Sequence, residues 1–465
     1  DLGAVTRDTF NLEQVEVVKG AAGAETGRGA SAGFINLISK QAHLGDESSV
    51  SGTVGTGDRR RATVDLNRQL SDTSALRLNA MVQDSGVDGR DFVENKGYGV
   101  GLSYVTGLGT PTRVHLFSQH LRQDNVPDGG IPAIGYEGYT SVIGPKVRRE
   151  NFYGSVNDRE KVDADMFTVK VEHDLGEGTT VRNITRYGKT HMDRTLTGVN
   201  TGASGITATG PQSAWTVNRS RQLVDQDNTI LANQTSVNTR FNAGGMQHSL
   251  AAGVELLHEK QTNFSHGTAT GTAPANLYNP DPYRAMVNFG PRTGDESGTT
   301  TNTISVYAFD DAKINERWSI NGGARVDVYK LSSSAAVGAT PLEDSRSLVS
   351  WSIGGVYKPA ENGSVYASYA TSSTPPGAFT QLSTSATSIN NPAFDPQKTN
   401  TVELGTKWDL LNKRLNVAAA VFRTVTRIRS LLVELDAMEE GLKIDFEDLP
   451  EAQPDPLPED DAELS

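Results

Sequence analysis

From about residue 49 to residue 424 the chain alternates with period two, and this rhythm constrains its fold more than any other feature. In Trp318, Ile320, Gly322, Ala324, Val326 and Val328 every second position is apolar or small, while Ser319, Asn321, Gly323, Arg325 and Asp327 fill the positions between. Leu76, Leu78, Ala80 and Val82 alternate with Arg77, Asn79, Met81 and Gln83. Phe167, Val169 and Val171 alternate with Thr168, Lys170 and Glu172, and Val402, Leu404 and Trp408 with Glu403, Lys407 and Asp409. A helix would scatter each set around its circumference, whereas a strand puts each set on one face.

About fifteen such strands can be placed, typically about 9–14 residues long, where strands of soluble sandwiches average about 5–6. Short turns near 71–73, 107–111, 175–178, 242–246, 315–316, 359–362 and 411–413 alternate with other connections. Those at 85–96, 123–163, 190–227, 261–300, 331–346 and 371–399 read as long loops, and 57–59 as a short one. Short turns on one rim and long loops on the other are the mark of an outer-membrane barrel. No run of 18 apolar residues exists, which excludes spanning helices but not spanning strands.

The formal net charge of −13 is unevenly spread. Residues 425–465 hold 13 Asp and Glu against 3 Lys and Arg, so ten of the thirteen net charges sit there. Nothing basic enough to hold nucleic acid remains. In that tail Ile428, Leu431, Leu432, Leu435, Met438 and Leu442 recur at helical spacing and an acidic, Pro-punctuated stretch follows. The break near Val425 points to a fusion, a recombination or a change of frame. With no cysteine, disulfides and thiolate metal sites are excluded. The eight histidines are dispersed, no nucleophile elbow or triad signature occurs, and neither a metal site, a cofactor nor an enzyme is expected.

Before the alternating region, residues 12–41 read as a short strand, a Gly-rich turn region and a second strand. The run Val15-Glu16-Val17-Val18-Lys19-Gly20, then Gly27, Arg28, Gly29 and Ala30, then Ile35-Asn36-Leu37-Ile38-Ser39-Lys40, resembles the end of the plug domain of TonB-dependent receptors. Ala21 replaces the usual Pro of that pattern, Thr26 the aromatic and Ala32 the first Gly of a pair. The likeness continues through Asp124 to Pro132, Tyr366 to Gly377 and Asp395 to Asp409, covers about residues 10–424, and leans towards catecholate-type siderophore receptors.

The resemblance implies an all-β fold: a transmembrane antiparallel β-barrel, 22-stranded in the family with about fifteen strands present here, around the C-terminal remnant of an internal plug. Residues 1–45 are then plug, 46–424 partial barrel and 425–465 a tail foreign to the family. It implies a Gram-negative outer-membrane receptor for ferric siderophore, surrounded by outer-membrane lipid and energised by the TonB–ExbB–ExbD complex. Against that template, with no leader, no TonB box and a short plug, the chain reads as a truncated or remnant form. Other readings are a passive porin-like or structural barrel, or a soluble β protein with an acidic interaction tail.

A ferric catecholate is anionic and aromatic, so its site calls for Arg or Lys with aromatic rings on the outer loops. Residues 123–163 supply Tyr136, Tyr139, Lys146, Arg148, Arg149, Phe152 and Tyr153, and residues 190–227 supply Trp215, Arg219 and Arg221. Tyr136, Arg148, Arg149, Tyr153 and Trp215 are the chosen ligand candidates, each weighed against an ordinary solvated loop residue. By the resemblance, Lys19 occupies a plug position that pairs with a glutamate on the inner wall, and Glu403 is its candidate partner.

Overall fold

The computed structural model describes residues 8–20, 22–27, 30, 33–136, 142–200, 205–268, 272–284, 286, 288–378, 381–385 and 388–427. The helical spacing noted beyond residue 427 therefore lies outside the described residues.

A hairpin opens the chain: β1 (Leu12–Lys19) pairs antiparallel with β2 (Gly33–Ser39), with the one-turn α1 (Gly23–Thr26) in the connection. A large antiparallel sheet follows. Its strands are β3 (Glu47–Gly55), β4 (Arg59–Ser71), β5 (Ser74–Val87), β6 (Arg90–Thr106), β7 (Thr112–Asn125), β8 (Arg159–Gly176) and β9 (Thr179–Asn200). Then come β10 (Ile206–Thr207), β11 (Thr216–Ala243), β12 (Met246–His266), β13 (Ala275–Asn276), β14 (Arg292–Lys313) and β15 (Trp318–Ser334). The last are β16 (Leu342–Ala360), β17 (Gly363–Thr374), β18 (Gln397–Leu410) and β19 (Leu415–Arg427). Apart from the two-residue strands β10 and β13 there are fifteen long strands among the described residues, the number read from the alternation.

Alternation sorts the side chains as expected. On β15 the even-numbered Trp318, Ile320, Val326 and Val328 are all at least 40% exposed on the outer wall, while Arg325 and Asp327 are buried inside. On β5 Val82 faces out and Arg77, Asn79 and Met81 face in; on β8 Phe167 faces out and Thr168 in. An apolar exterior against a polar interior inverts the soluble-protein pattern and suits a hydrocarbon surround. Two outward aromatic pairs fit the interfacial girdle such a wall carries: Trp318 stacks on Tyr357 at 4.5 Å between ring centroids, and Trp351 on Tyr369 at 5.0 Å. No described helix is long and apolar enough to cross a membrane.

The connections expected as long loops are all in part strand, three of them most plainly. Residues 85–96 form a hairpin tip with only Asp88 and Gly89 between β5 and β6. Strand β9 runs on to Asn200 and β11 begins at Thr216; β12 reaches His266 and β14 starts at Arg292. The reason is physical: above the apolar band both faces of a strand meet polar surroundings, so the ladder continues while the apolar-polar rhythm that announces a strand disappears. At 28 residues, β11 is far longer than the roughly 9–11 needed to cross a bilayer. At the chain's other end β19 also runs to Arg427, slightly past the point where alternation fades.

The hairpin of β1 and β2 sits against the inner wall from two sides. Asp8 makes a paired contact with Arg61 of β4 at 2.6 and 2.7 Å, Glu13 meets Arg77 of β5 at 3.2 Å, and the Asn11 side-chain amide donates to the Gln119 carbonyl oxygen of β7 at 3.3 Å. Lys40 bonds Asp65 at 2.9 Å, and Asp65 also receives both ends of the Arg77 guanidinium at 2.8 Å. Across the interior, α1 packs on β15, β16 and β17. Gly23 lies so close to β17 that a Cβ would stand 2.7 Å from the Ser372 Cα, and Gly27, with φ of 84°, lies over the Arg325 guanidinium. One segment touching β4, β5 and β7 on one side and β15 to β17 on the other requires a strongly curled sheet.

In order around the sheet β19 and β3 stand next to one another. Among the described residues no register joins them, and β3 is exposed at every position and β19 at all but one. Both strands start at the short-turn rim and end at the loop rim.

The facing of β15 predicts that Val326→Arg, on the outer wall, destabilises the sheet in lipid vesicles by about 2–4 kcal/mol. Denaturant titration followed by tryptophan fluorescence should show a lowered midpoint; an unchanged midpoint would mean that this face does not meet hydrocarbon.

Candidate functional site: the loop rim and the inner wall

The connections on the loop rim have a core of their own. Tyr153, Ile134 and Val147 of residues 126–158 pack with Val217 of β11 and with Ala275 and Leu277 of residues 267–291. Ile206 and Trp215 close this cluster at its edge, and β10 and β13 both pair with Thr216 and Val217 of β11. The Tyr153 hydroxyl donates to the Leu277 carbonyl and accepts from the Asn151 amide at 3.3 Å. Burial pushes the phenol's pKa up, so it stays neutral and keeps its proton for that bond.

Polar anchors surround the cluster. Asp158, 3% exposed, accepts from the Ser155 N–H at 3.1 Å, the Thr197 N–H at 3.0 Å and the Thr197 hydroxyl at 2.9 Å. Arg219 donates to the Tyr153 carbonyl at 3.0 Å and the Ala273 carbonyl at 3.0 Å, stitching the two long loops together. At the β5–β6 tip, Arg90 grips Asp128 through two bonds of 2.8 and 2.7 Å. Burial would raise the Asp128 carboxyl, but the Arg90 fork and the Gly130 N–H hold it below the ordinary carboxylate range.

The five ligand candidates divide between surface and core. Tyr136 is 48% exposed with the Lys146 ammonium 4.0 Å above its ring. The Arg148 side chain is 74% exposed, beside Glu150 at 3.5 Å. Arg149 is exposed and lies across the β5–β6 turn, donating to the Asp88 carbonyl at 3.2 Å. Tyr153 and Trp215 belong to the loop core instead; the Trp215 indole N–H donates to the Gly210 carbonyl at 3.2 Å. Tyr139 lies outside the described residues.

On the inner wall, Glu403 accepts from the Tyr366 hydroxyl at 2.6 Å, and the plug residue above it is Gly20, whose Cβ position is 3.9 Å from the free carboxylate oxygen. Lys19, next along β1, is exposed and makes no ion pair with Glu403 among the described residues. The groups that do tie hairpin to wall are Asp8, Glu13 and Lys40 with Arg61, Arg77 and Asp65. Sequence reasoning missed them because their partners depend on register and on the curl of the sheet. Their signal was present all the same, since Arg61, Asp65 and Arg77 are charged at the inward positions of β4 and β5. Between the hairpin and strands β7, β8, β9, β11 and β12 lies a cavity of about 190 Å³ of mixed lining, with Asp8, Arg186 and Glu259 beside Leu12, Leu121 and Met166.

A curled antiparallel sheet, apolar outside and charged inside, with a small β hairpin held within it, has the architecture of an outer-membrane barrel. Residues 97–433 match the family described as TonB dependent receptor-like, beta-barrel.

The chain belongs to the TonB-dependent receptor family.

Among its relatives is the catecholate siderophore receptor Fiu of Escherichia coli O6:H1, 40% identical over 91% of this chain and 60% of its own length. The probable TonB-dependent siderophore receptor PiuA of Acinetobacter baumannii is 30% identical over 90% of this chain and 59% of its own. In three dimensions the chain is similar to the closed form of the ferric-catecholate import receptor Fiu from E. coli K12. That likeness has a TM-score of 0.86 and 38% identity, covering 92% of this chain and 64% of that one. The chain thus spans about 60% of the curated relatives it matches. As a TonB-dependent receptor barrel it is a protein of the Gram-negative outer membrane, in a family of transport receptors rather than enzymes.

Two predictions test the rim. Tyr153→Phe, which strands the Leu277 carbonyl in the loop core, should cost about 1–3 kcal/mol and raise hydrogen exchange in residues 272–284. The lowered Asp128 carboxyl adds stability that is present above the ordinary aspartate value of about 3.8 and is lost as pH falls through its lowered value. Protease cutting of the loop around Asp128 should therefore increase as pH falls below the ordinary aspartate value of about 3.8, and Arg90→Gln should flatten that dependence. Identical profiles for wild type and Arg90→Gln would refute the latch.

Proposed function

We propose that this chain forms the greater part of a receptor that binds a ferric siderophore of the catecholate class at the loop rim. The siderophore then passes through the barrel interior when the plug is displaced by force from the TonB–ExbB–ExbD complex. The observation that carries this is the charged docking of the β1–β2 hairpin inside the wall, in a chain 40% identical to a catecholate siderophore receptor. A passive porin has no need of an ion-paired hairpin in its lumen.

The chemistry follows from the rim and the wall. Arg148, Arg149 and the Tyr136–Lys146 pair offer cations and a ring to an anionic aromatic chelate, whereas Tyr153 and Trp215 act by holding the loops that carry them. Ion pairs are among the contacts that hold the hairpin to the wall, and directed pulling can break such charged contacts one after another, each being replaceable by water. Outer-membrane lipid surrounds the apolar exterior. Neither bond making nor bond breaking is required of the protein, and it is not an enzyme.

In cells starved of iron, uptake from a ferric catecholate through the receptor should fall to background when TonB is deleted; uptake unchanged by that deletion would sink the proposal. The Arg148→Ala, Arg149→Ala double variant should weaken binding of the ferric complex about tenfold, read by fluorescence titration.

A further inference from the structure

Across the ladder of β18 and β19, Lys398 stands directly opposite Arg427, and Arg423 opposite Val402. Like charges at directly opposed positions repel one another, so a strand pair that carries them needs an offset. Among the described residues none of these three bases makes an ion pair or a side-chain hydrogen bond. Bases elsewhere on the outer face towards the loop rim have acids of their own. Lys330 meets Glu343 at 3.0 Å, Lys189 meets Asp227 at 3.3 Å and Arg122 meets Asp163 at 3.0 Å.

Parity puts all three on the lipid side of the wall. Thr399 and Thr401 are buried on the inner face, where their hydroxyls bond those of Thr426 and Thr424 at 3.0 Å. The residues between them therefore look outward: Lys398 and Arg427, and Val402, exposed beside Leu404, with Arg423. Lys398 lies ten residues before Trp408, which is close to the short-turn rim. At a rise of about 3.3 Å per residue and a tilt of about 40°, that is a height of about 25 Å, the whole of the apolar band. Lys398 and Arg427 thus stand at the loop-side margin of the hydrocarbon, at the level of lipid headgroups. Arg423 stands four residues lower, inside the band, with a side chain long enough to reach towards that margin. A cation facing hydrocarbon calls for an anion to meet it.

We propose that Lys398, Arg423 and Arg427 hold the phosphate of a lipid headgroup in the loop-side leaflet. A guanidinium takes a phosphate through two parallel bonds and an ammonium takes it as a point charge, so one phosphate between the opposed bases turns their repulsion into shared attraction. The site lies on the outside of the wall, apart from the loop rim and the interior, and is independent of the ligand that the receptor carries.

The test uses the full chain in an uncharged detergent, with fluorescently labelled diphosphoryl lipid A as the probe and its dephosphorylated form as the control. Wild type should bind the phosphorylated lipid about tenfold more tightly than the control. The Lys398→Gln, Arg427→Gln double variant should weaken binding of the phosphorylated lipid about five- to tenfold and leave the control unchanged, while Lys398→Arg keeps wild-type affinity. Lys398→Glu sets an acid opposite Arg427, so it should abolish the preference for phosphate and raise the thermal midpoint in detergent, a gain that a damaged fold does not give. Equal binding of both lipids by wild type overturns the site, as does unaltered affinity in the double variant. Complete displacement of the probe by inorganic phosphate would assign the bases to a free anion and overturn the lipid. A lowered midpoint for Lys398→Glu would show that the opposed bases are already offset within the protein, and overturns the site too.

Discussion

Every backbone N–H and C=O that enters hydrocarbon must find its partner within the protein, and the rest of this structure depends on that demand. The ladders meet it strand by strand: β11 alone is paired with β9 along most of its length on one side and with β12 on the other. Once the backbone is satisfied, side chains need only separate by parity, which is why the exterior can be made of isolated Val, Ile and Trp residues and the interior of Arg, Asp and Asn. The same parity places Arg61, Asp65 and Arg77 where they can hold the plug hairpin. Membrane insertion and plug retention therefore draw on alternate residues of the same strands.

The two ends of the sheet do different work with the same ladder. Within the apolar band the strands are a wall. Beyond it they become supports that carry the loops outward, and there the stabilising interactions change to a small apolar cluster around Tyr153, buried carboxylates such as Asp158, and guanidinium stitches from Arg90 and Arg219. This rigidity lets exposed groups be placed with purpose. Arg148 and Arg149 stand on a loop whose neighbours are firmly packed, so in the proposed receptor a ligand would meet groups that are already placed.

Much of the fold could be read from the sequence. Its alternation marks the fifteen long strands found among the described residues, and residues 12–41 read as the strand–turn–strand that the structure shows as the β1–β2 hairpin. Two things were hidden. Where strands leave the apolar band, as at residues 190–200 and 216–227, polar residues fall on both faces and the period vanishes although the hydrogen bonding goes on. Long-range pairings were hidden as well, because which charge meets Asp65 or Asp8 is decided by register and curl. The candidate site was legible by composition and not by depth: Arg148 and Tyr153 are five residues apart in one loop, yet one is open to solvent and the other lies in a core.

The edges β3 and β19 both climb from the short-turn rim to the loop rim. A wall that stays antiparallel throughout can be completed between two rising edges only by an odd number of strands, since each neighbour of an edge must descend. Direct joining of β19 to β3 would demand a parallel seam, which this sheet has nowhere else.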